Sequence, residues 1–186
     1  MNERRLFFAV PISDPVRKRL VREMRNWEGL PLIPERPEFL HVTVLFLGYV
    51  PDEDVAEISD IAAGICAAHE PFEIAFSGIE LRPDTDEPKM LWLAGEESEE
   101  LRNLHNDFAC ELSEGISGSR HFRPHITLAK VKKNAFLKLP EAERERIAKP
   151  LLLSEPVSSV VLFESIGTGP KREYLPMEEF VLGESR

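Results

Sequence analysis

Apolar and polar residues alternate in short blocks along the chain, and the blocks predict strands and helices in turn. Residue runs that start with Ser13-Asp14-Pro15 and with Pro51-Asp52-Glu53 are typical of helix N-termini. In the first half, the pattern predicts strands at 5–10, 39–47 and 71–81 and helices at 13–27 and 51–69. The first half is therefore predicted to be strand, helix, strand, helix, strand.

The second half repeats this order. It predicts strands at 89–94, 122–131 and 151–163, helices at 98–114 and 140–148, and a last strand at 174–182. The first strands of the two halves lie 84 residues apart, and the helix starts Ser13 and Ser98 lie 85 apart. We infer an internal duplication, with repeats at about 4–82 and 88–165 inside one domain, 1–186. The expected fold is α+β, with two duplicated sheet-plus-helix lobes about a pseudo-twofold axis.

Composition is that of a globular protein, with 42% hydrophobic and 30% charged residues. No apolar run approaches the roughly 18 residues of a spanning helix, and the first residues do not resemble a signal peptide. We expect a cytoplasmic protein without a membrane partner. Cys66 and Cys110 stand alone in helix-like segments, so we interpret both as buried side chains outside any disulfide or metal site.

The net charge of -10 is unevenly distributed. Residues 51–119 carry 18 acidic and 3 basic side chains, whereas residues 120–150 carry 3 acidic and 9 basic ones. The acidic stretch argues against a long nucleic-acid footprint, because affinity for the phosphate backbone comes mainly from Lys and Arg. The basic stretch permits a small or terminal phosphate.

Two predicted strands contain the same tetrapeptide pattern, His41-Val42-Thr43-Val44 and His125-Ile126-Thr127-Leu128, again 84 residues apart. Alternation along a strand places each histidine and its threonine on one face and the apolar residues on the other. Pseudo-twofold packing would bring two imidazoles and two hydroxyls together across a groove. One histidine can take a proton from water and the other can protonate a leaving oxygen, while the threonines hydrogen-bond to a phosphate. The pattern thus predicts a metal-independent acid–base pair, and it leaves open which histidine is the acid.

Other candidate residues lie next to the second motif. Arg123 is expected on the face of His125 and Lys130 on the opposite face. His121 and His125 have a spacing that zinc ligands use on helices, but Pro124 and the strand pattern argue against a metal site.

The remaining histidines and two aromatic residues lack a site context. His69 and His105 lie on helix-like segments and are interpreted as surface or core residues. Phe8 and Phe46 are able to stack a nucleic-acid base, but their apolar strand contexts favour the core.

Four segments together resemble the 2H phosphoesterases, and among them the RNA 2',3'-cyclic phosphodiesterases, also called 2'-5' RNA ligases. They are residues 5–10, 41–48, 91–93 and 122–130. The resemblance implies a bilobal fold with a central cleft and hydrolysis of an RNA 2',3'-cyclic phosphate to a 2'-phosphomonoester, without a cofactor or metal. It also implies that His41 is the proton donor and His125 the proton acceptor, with Thr43 and Thr127 on the phosphate.

The resemblance extends to the basic residues and the partners. The family often has Arg where this chain has Lys130, and Lys supplies positive charge without the bidentate contact of Arg. Lys130 and Arg123 are both expected as phosphate-binding residues, and the strand face of Arg123 favours Arg123. The expected partner is an RNA end or a nucleoside 2',3'-cyclic phosphate. We expect no obligatory protein partner and a monomeric protein.

Three alternative functions fit the same sequence. The same four residues would suit the joining of RNA ends through a 2'-5' linkage or the cleavage of 2'-5' oligonucleotides. A nucleotide-binding module without turnover would keep the fold but need not keep both histidines. An interaction protein would use the acidic stretch 51–119 as its docking surface, although a solvated face explains that stretch equally well.

Overall fold

The computed structural model describes residues 2–83, 87–112 and 122–184. Within them, the strands are Glu3–Pro11 (β1), Leu32–Pro34 (β2), His41–Pro51 (β3), Phe72–Arg82 (β4), Met90–Gly95 (β5), His125–Val131 (β6), Lys149–Val157 (β7), Ser159–Ile166 (β8) and Glu173–Val181 (β9). The α-helices are Asp14–Arg25 (α1), Val55–Ala67 (α2), Glu99–Leu112 (α3), Lys133–Phe136 (α4) and Glu141–Ile147 (α5). The predicted α+β class and the order of the long elements are confirmed.

The differences from prediction are local. The run 151–163, predicted as one strand, is divided into β7 and β8 at Ser158. The strand predicted from residue 122 begins only at His125, directly after Pro124, which has no N–H to donate to a sheet. β2 and α4 were not predicted, because three or four residues are too few to show a period.

All nine strands belong to one antiparallel sheet in the order β7-β4-β5-β6-β3-β1-β8-β9, with β2 against β6. The eight strands other than β2 divide into two halves of four. We call β3, β1, β8 and β9 lobe 1, which carries His41, and β6, β5, β4 and β7 lobe 2, which carries His125. The two predicted lobes are thus present in the fold.

Each lobe contains strands from both sequence repeats. β4, the last strand of the first repeat, lies between β5 and β7 in lobe 2. β8, from the second repeat, pairs with β1 in lobe 1, where Phe7 is opposite Phe163. This exchange explains the division of 151–163, because the chain leaves lobe 2 after β7 and enters lobe 1 with β8.

A single Cα pair, Val42 opposite Ile126, joins β3 of lobe 1 to β6 of lobe 2 among the described residues. These two residues are equivalent in the 84-residue repeat, so the pseudo-twofold axis passes through their pair. Both side chains are fully buried. The histidine that precedes each of them therefore flanks the axis.

The two motif strands carry matching β-bulges. In β3, Ala9 is opposite Thr43 and Phe8 is opposite Leu45, so Val44 is an extra residue. In β6, Leu128 is the extra residue in the same way. Because a bulge inserts one residue, side chains beyond it change faces.

Two helix N-termini are held by serine in different ways. The Ser98 hydroxyl accepts a hydrogen bond from the Leu101 N–H at the start of α3. Ser13 precedes α1 as predicted, but its N–H and hydroxyl donate to the Glu155 carboxylate on β7, at 2.8 and 3.0 Å, instead of capping the helix. Burial raises the pKa of Glu155. This buried contact fixes the start of α1 against lobe 2.

The core confirms one aromatic assignment and corrects one cysteine. Phe8 is fully buried, as predicted. Cys66 is buried, and burial raises the pKa of its thiol to about 12, but Cys110 is exposed on α3, so its interpretation as a buried residue was wrong. None of the described helices is long and apolar enough to cross a membrane.

The lobe junction has a measurable effect on stability. We expect Ile126→Ala to lower the free energy of unfolding by about 3 kcal/mol, because it opens a cavity where the two lobes meet. Urea titration followed by circular dichroism measures this change. Leu152→Ala, at a side chain that is 79% exposed, is the control and should change stability by less than about 0.5 kcal/mol. Equal effects of the two substitutions would contradict the importance of the junction.

Candidate active site

His41 lies at the first position of β3, beside the junction of the lobes. Its Nδ1 is 2.6 Å from the carbonyl oxygen of Phe39, and its Nε2 is 3.1 Å from Thr43 Oγ1. Since a carbonyl only accepts, the Phe39 bond assigns the proton to Nδ1 in the neutral ring. Nε2 then accepts from the Thr43 hydroxyl and keeps the basic lone pair of the ring.

His125 is held in the same way at the first position of β6. Its Nδ1 donates to the Arg123 carbonyl oxygen at 2.8 Å. In both lobes, therefore, the carbonyl two residues before the histidine fixes the tautomer and leaves Nε2 for chemistry. The Val42–Ile126 pair places His41 and His125 next to the same junction, and the charge of His125 acts on His41. Each histidine and its threonine are partly exposed, while the residue between them is buried.

The two imidazoles have lowered pKa values. Burial is the main cause for His41, His125 adds to it, and the hydrogen bond to Phe39 opposes it, which leaves the pKa of His41 at about 4. The pKa of His125 is also lowered, mainly by burial, with the charge of Arg82 acting in the same direction against the hydrogen bond to Arg123. Both rings are therefore neutral at pH 7 in the ligand-free protein.

Aromatic side chains surround His41 in lobe 1. The Phe7 ring lies 5.2 Å from the His41 ring and also contacts Phe46, Phe163 and Tyr174, with centroid distances of 5.8, 5.4 and 5.0 Å. Phe46 is 62% exposed, so its expected place in the core was wrong. The bulge at Val44 is the reason, because it returns residue 46 to the face of His41.

An aromatic residue of β5 supports the second histidine. The Trp92 ring stacks on the His125 ring with a centroid distance of 3.6 Å and an interplanar angle of 16°. Trp92 is opposite Thr127 in the sheet, so its ring lies under the motif. This contact was not predicted, although the apolar residues on either side of Trp92 were a signal that its side chain leaves the core face.

The predicted basic residues lie at the edge of the site. Arg123 is exposed and precedes β6, so strand alternation does not determine its face. Lys130 is exposed, and the bulge at Leu128 returns it to the face of His125, which corrects its predicted place on the opposite face. Both side chains are exposed to solvent.

Three further histidines lie outside the two motifs. His69 is bonded to Asp107 at 2.8 Å, away from the junction. His105, on α3, donates from Nδ1 to the Val44 carbonyl at 2.8 Å, so it supports the bulge of β3 from behind. His121 lies outside the described residues.

Arg82 is a charged residue of this site that sequence analysis missed. It lies at the end of β4, and its guanidinium contacts the Glu80 carboxylate on the same strand face. Glu80 is opposite Trp92, so both charged residues share the face of the Trp92 ring. The signal was weak, because Arg82 belongs to the acidic stretch and its strand ends 43 residues before His125.

Comparison with known proteins gives a consistent result. A family model described as the 2'-5' RNA ligase superfamily matches residues 12–168. The chain is 32% identical over 133 residues to an RNA 2',3'-cyclic phosphodiesterase of Archaeoglobus fulgidus, covering 69% of this chain and 73% of that protein. It is 29% identical over 186 residues to a protein of the same name from Aquifex aeolicus, covering 95% of each.

A solved structure supports the same relationship. The crystal structure of a Thermus thermophilus protein, TT0787, aligns with a TM-score of 0.81 at 25% identity, over 98% of this chain and all of that chain. The similarity therefore covers both lobes and the junction between them.

The protonation of His41 is directly measurable. In the ligand-free protein we expect the NMR titration of the His41 ring to show a pKa of about 4, because burial disfavours its charged form. Inorganic phosphate should raise this value, since an anion stabilises an imidazolium. The spectrum of His41→Ala assigns the signal. A His41 pKa at or above 6.5 without phosphate would contradict the geometry described.

Proposed function

Since the chain belongs to the 2'-5' RNA ligase superfamily, we propose that it hydrolyses the 2',3'-cyclic phosphate of an RNA end to a 2'-phosphomonoester. The family consists of phosphoesterases, so the chain is a phosphoric diester hydrolase. One observation supports the two-histidine mechanism most strongly. His41 and His125 flank the pseudo-twofold axis, and each is bonded through Nδ1 to a backbone carbonyl.

The reaction needs two proton transfers on opposite sides of phosphorus. In the proposal, His125 Nε2 takes a proton from a water molecule as the water oxygen bonds to phosphorus. The bond from phosphorus to O3' then breaks, and O3' takes the proton that His41 carries on Nε2. The products are a 2'-phosphate and a free 3'-hydroxyl, and the histidines exchange protons with solvent to complete the cycle.

The charge of the substrate completes the protonation state that the mechanism requires. His41 must carry a proton to act as the acid, yet its low pKa makes it neutral in the free protein near pH 7. A cyclic phosphate between the two rings carries one negative charge, which stabilises an imidazolium on either side. Binding of the anion thus raises the pKa of the acid at the moment when the acid is needed.

Polar and aromatic groups around the pair fit the rest of a nucleotide. The hydroxyls of Thr43 and Thr127 share the face of the histidines and can donate to the non-bridging oxygens. Lys130 and Arg123 provide positive charge at the edge of the site. The exposed Phe46 ring, beside the rings around His41, suits the stacking of a base.

Removal of either imidazole tests the assignment. We expect His41→Ala and His125→Ala each to lower kcat on a nucleoside 2',3'-cyclic phosphate in EDTA by at least about a hundredfold, because each removes one proton transfer. His69→Ala is the matched control and should keep wild-type turnover, since His69 lies away from the junction. Phosphorus NMR identifies the product. Turnover that survives both substitutions, or a 3'-phosphate product, would refute the proposal.

The lowered pKa values determine the pH dependence. The reactive form has one neutral and one protonated imidazole, so the dependence of kcat/KM on pH should be bell-shaped. Because burial moves both free-enzyme pKa values below 6.5, we expect the maximum of kcat/KM on the acidic side of pH 6.5, with activity falling as pH rises. The maximum of kcat should lie at higher pH, because bound substrate raises the pKa of the acid. Initial rates between pH 4 and 9 test both statements, and coincident maxima at pH 8 would contradict them.

A further inference from the structure

Arg82 lies on the cleft face of lobe 2 and has no part in the proton transfers. Its side chain is 23% exposed, and its contact with Glu80 fixes the direction of the guanidinium. Its Nε is buried and donates to no described residue. Its positive charge contributes to the lowered pKa of His125, so Arg82 lies within electrostatic range of that imidazole.

The sheet places Arg82 in one row with Lys130. Arg82 is opposite Met90 on β5, and Met90 is opposite Lys130 on β6. The next row toward the junction contains Glu80, Trp92 and Thr127, so the two cations lie beyond the catalytic motif as seen from the axis. Lobe 2 therefore has a basic end.

The equivalent row of lobe 1 is aromatic on β3, β1 and β8. There Phe163 is opposite Phe7, and Phe7 is opposite Phe46. The pseudo-twofold axis relates this row to Arg82, Met90 and Lys130. Phe46 and Lys130 are the equivalent residues of the two motif strands, because each lies three residues after the threonine of its motif, just past the bulge. Equivalent positions of the two lobes thus differ in chemistry, and the cleft has one aromatic and one basic end.

We propose that Arg82, together with Lys130, binds the phosphodiester group on the 5' side of the terminal nucleotide. The preferred substrate is then an RNA oligonucleotide end, and a mononucleotide is a poorer one. This inference rests on the proposed function of the same site. In a nucleoside, the base is attached to C1' and the 5' carbon to C4', on opposite sides of the ring oxygen. A terminal nucleotide held across the cleft therefore reaches both the aromatic and the basic end.

The pair with Glu80 is compatible with this role. A carboxylate that holds one edge of a guanidinium reduces its mobility and leaves other N–H groups for a second acceptor. A phosphodiester offers two non-bridging oxygens to such a fork, and Lys130 adds a point charge beside it. Glu80 also offsets part of the positive charge, so the basic end suits one phosphate and not a long polyanion, in agreement with the acidic balance of the chain.

Three substrates with the same terminal nucleoside test the proposal. They are a nucleoside 2',3'-cyclic phosphate, a dinucleotide ending in that cyclic phosphate, and the same dinucleotide with an uncharged methylphosphonate linkage. For the wild type we expect kcat/KM to be about tenfold higher on the charged dinucleotide than on the other two, through a lower KM. Arg82→Gln should remove most of this preference, and Arg82→Lys should restore part of it.

Arg36→Gln is the matched control, because Arg36 lies over the Phe39 ring beside His41 and carries the same charge at the aromatic end. It should keep the wild-type preference. Any of three results would overturn the proposal. They are an equal loss of kcat/KM on all three substrates in Arg82→Gln, a loss of the preference in Arg36→Gln alone, and the absence of a preference in the wild type. Thermal unfolding of each variant checks its fold.

Binding separates this inference from the proposed function. Calorimetry with a nucleoside 2'-phosphate and with the corresponding dinucleotide 2'-phosphate needs no turnover. Tighter binding of the dinucleotide in the wild type, and its loss in Arg82→Gln, would support the phosphate subsite even if hydrolysis were not observed. Equal affinity for the two ligands in both proteins would overturn the subsite, whatever the outcome for hydrolysis.

Discussion

The contact between Val42 and Ile126 is the constraint on which the site depends. It is the point where two four-stranded halves of one sheet meet, and it lies on the pseudo-twofold axis. Beyond this pair the two motif strands find other partners, β1 for β3 and β5 for β6. The sheet thus opens beside the junction, and the first polar residue on either side is a histidine. A duplicated strand that paired elsewhere would separate the two imidazoles.

Much of the fold was accessible from sequence because the duplication is expressed in hydrophobic periodicity. The long helices and strands have strong periods, and their ends coincide with proline, serine and glycine signals. The exchange of β4 and β8 between lobes was not accessible. Strand order depends on which apolar faces pack together in three dimensions. Two repeats with similar patterns bury these faces equally well whether their strands pair within one repeat or between the two repeats.

The faces of residues beyond the motifs were predicted less well than the motifs themselves. Alternation holds from His41 to Thr43 and from His125 to Thr127, and it fails after the bulges that follow. Phe46 and Lys130 were therefore assigned to the wrong side, although the segments that contain them were correctly predicted as strands. A bulge leaves little trace in sequence when the extra residue is itself apolar, as Val44 and Leu128 are. The contact of Trp92 with His125 depends on the same register.

The exchange of strands between the lobes also has a consequence for synthesis of the chain. Residues 6–9 of β1 leave the ribosome well before one of their two neighbours, residues 161–164 of β8. Lobe 1, which contains the first motif, is thus completed after lobe 2. Until then, β1 presents an apolar edge with unpaired backbone groups, a state that favours association with other chains. The half of the cleft whose motif comes first in the sequence is the half that closes last, so a chain stopped before β8 would hold both histidines without the strand that completes the lobe around His41.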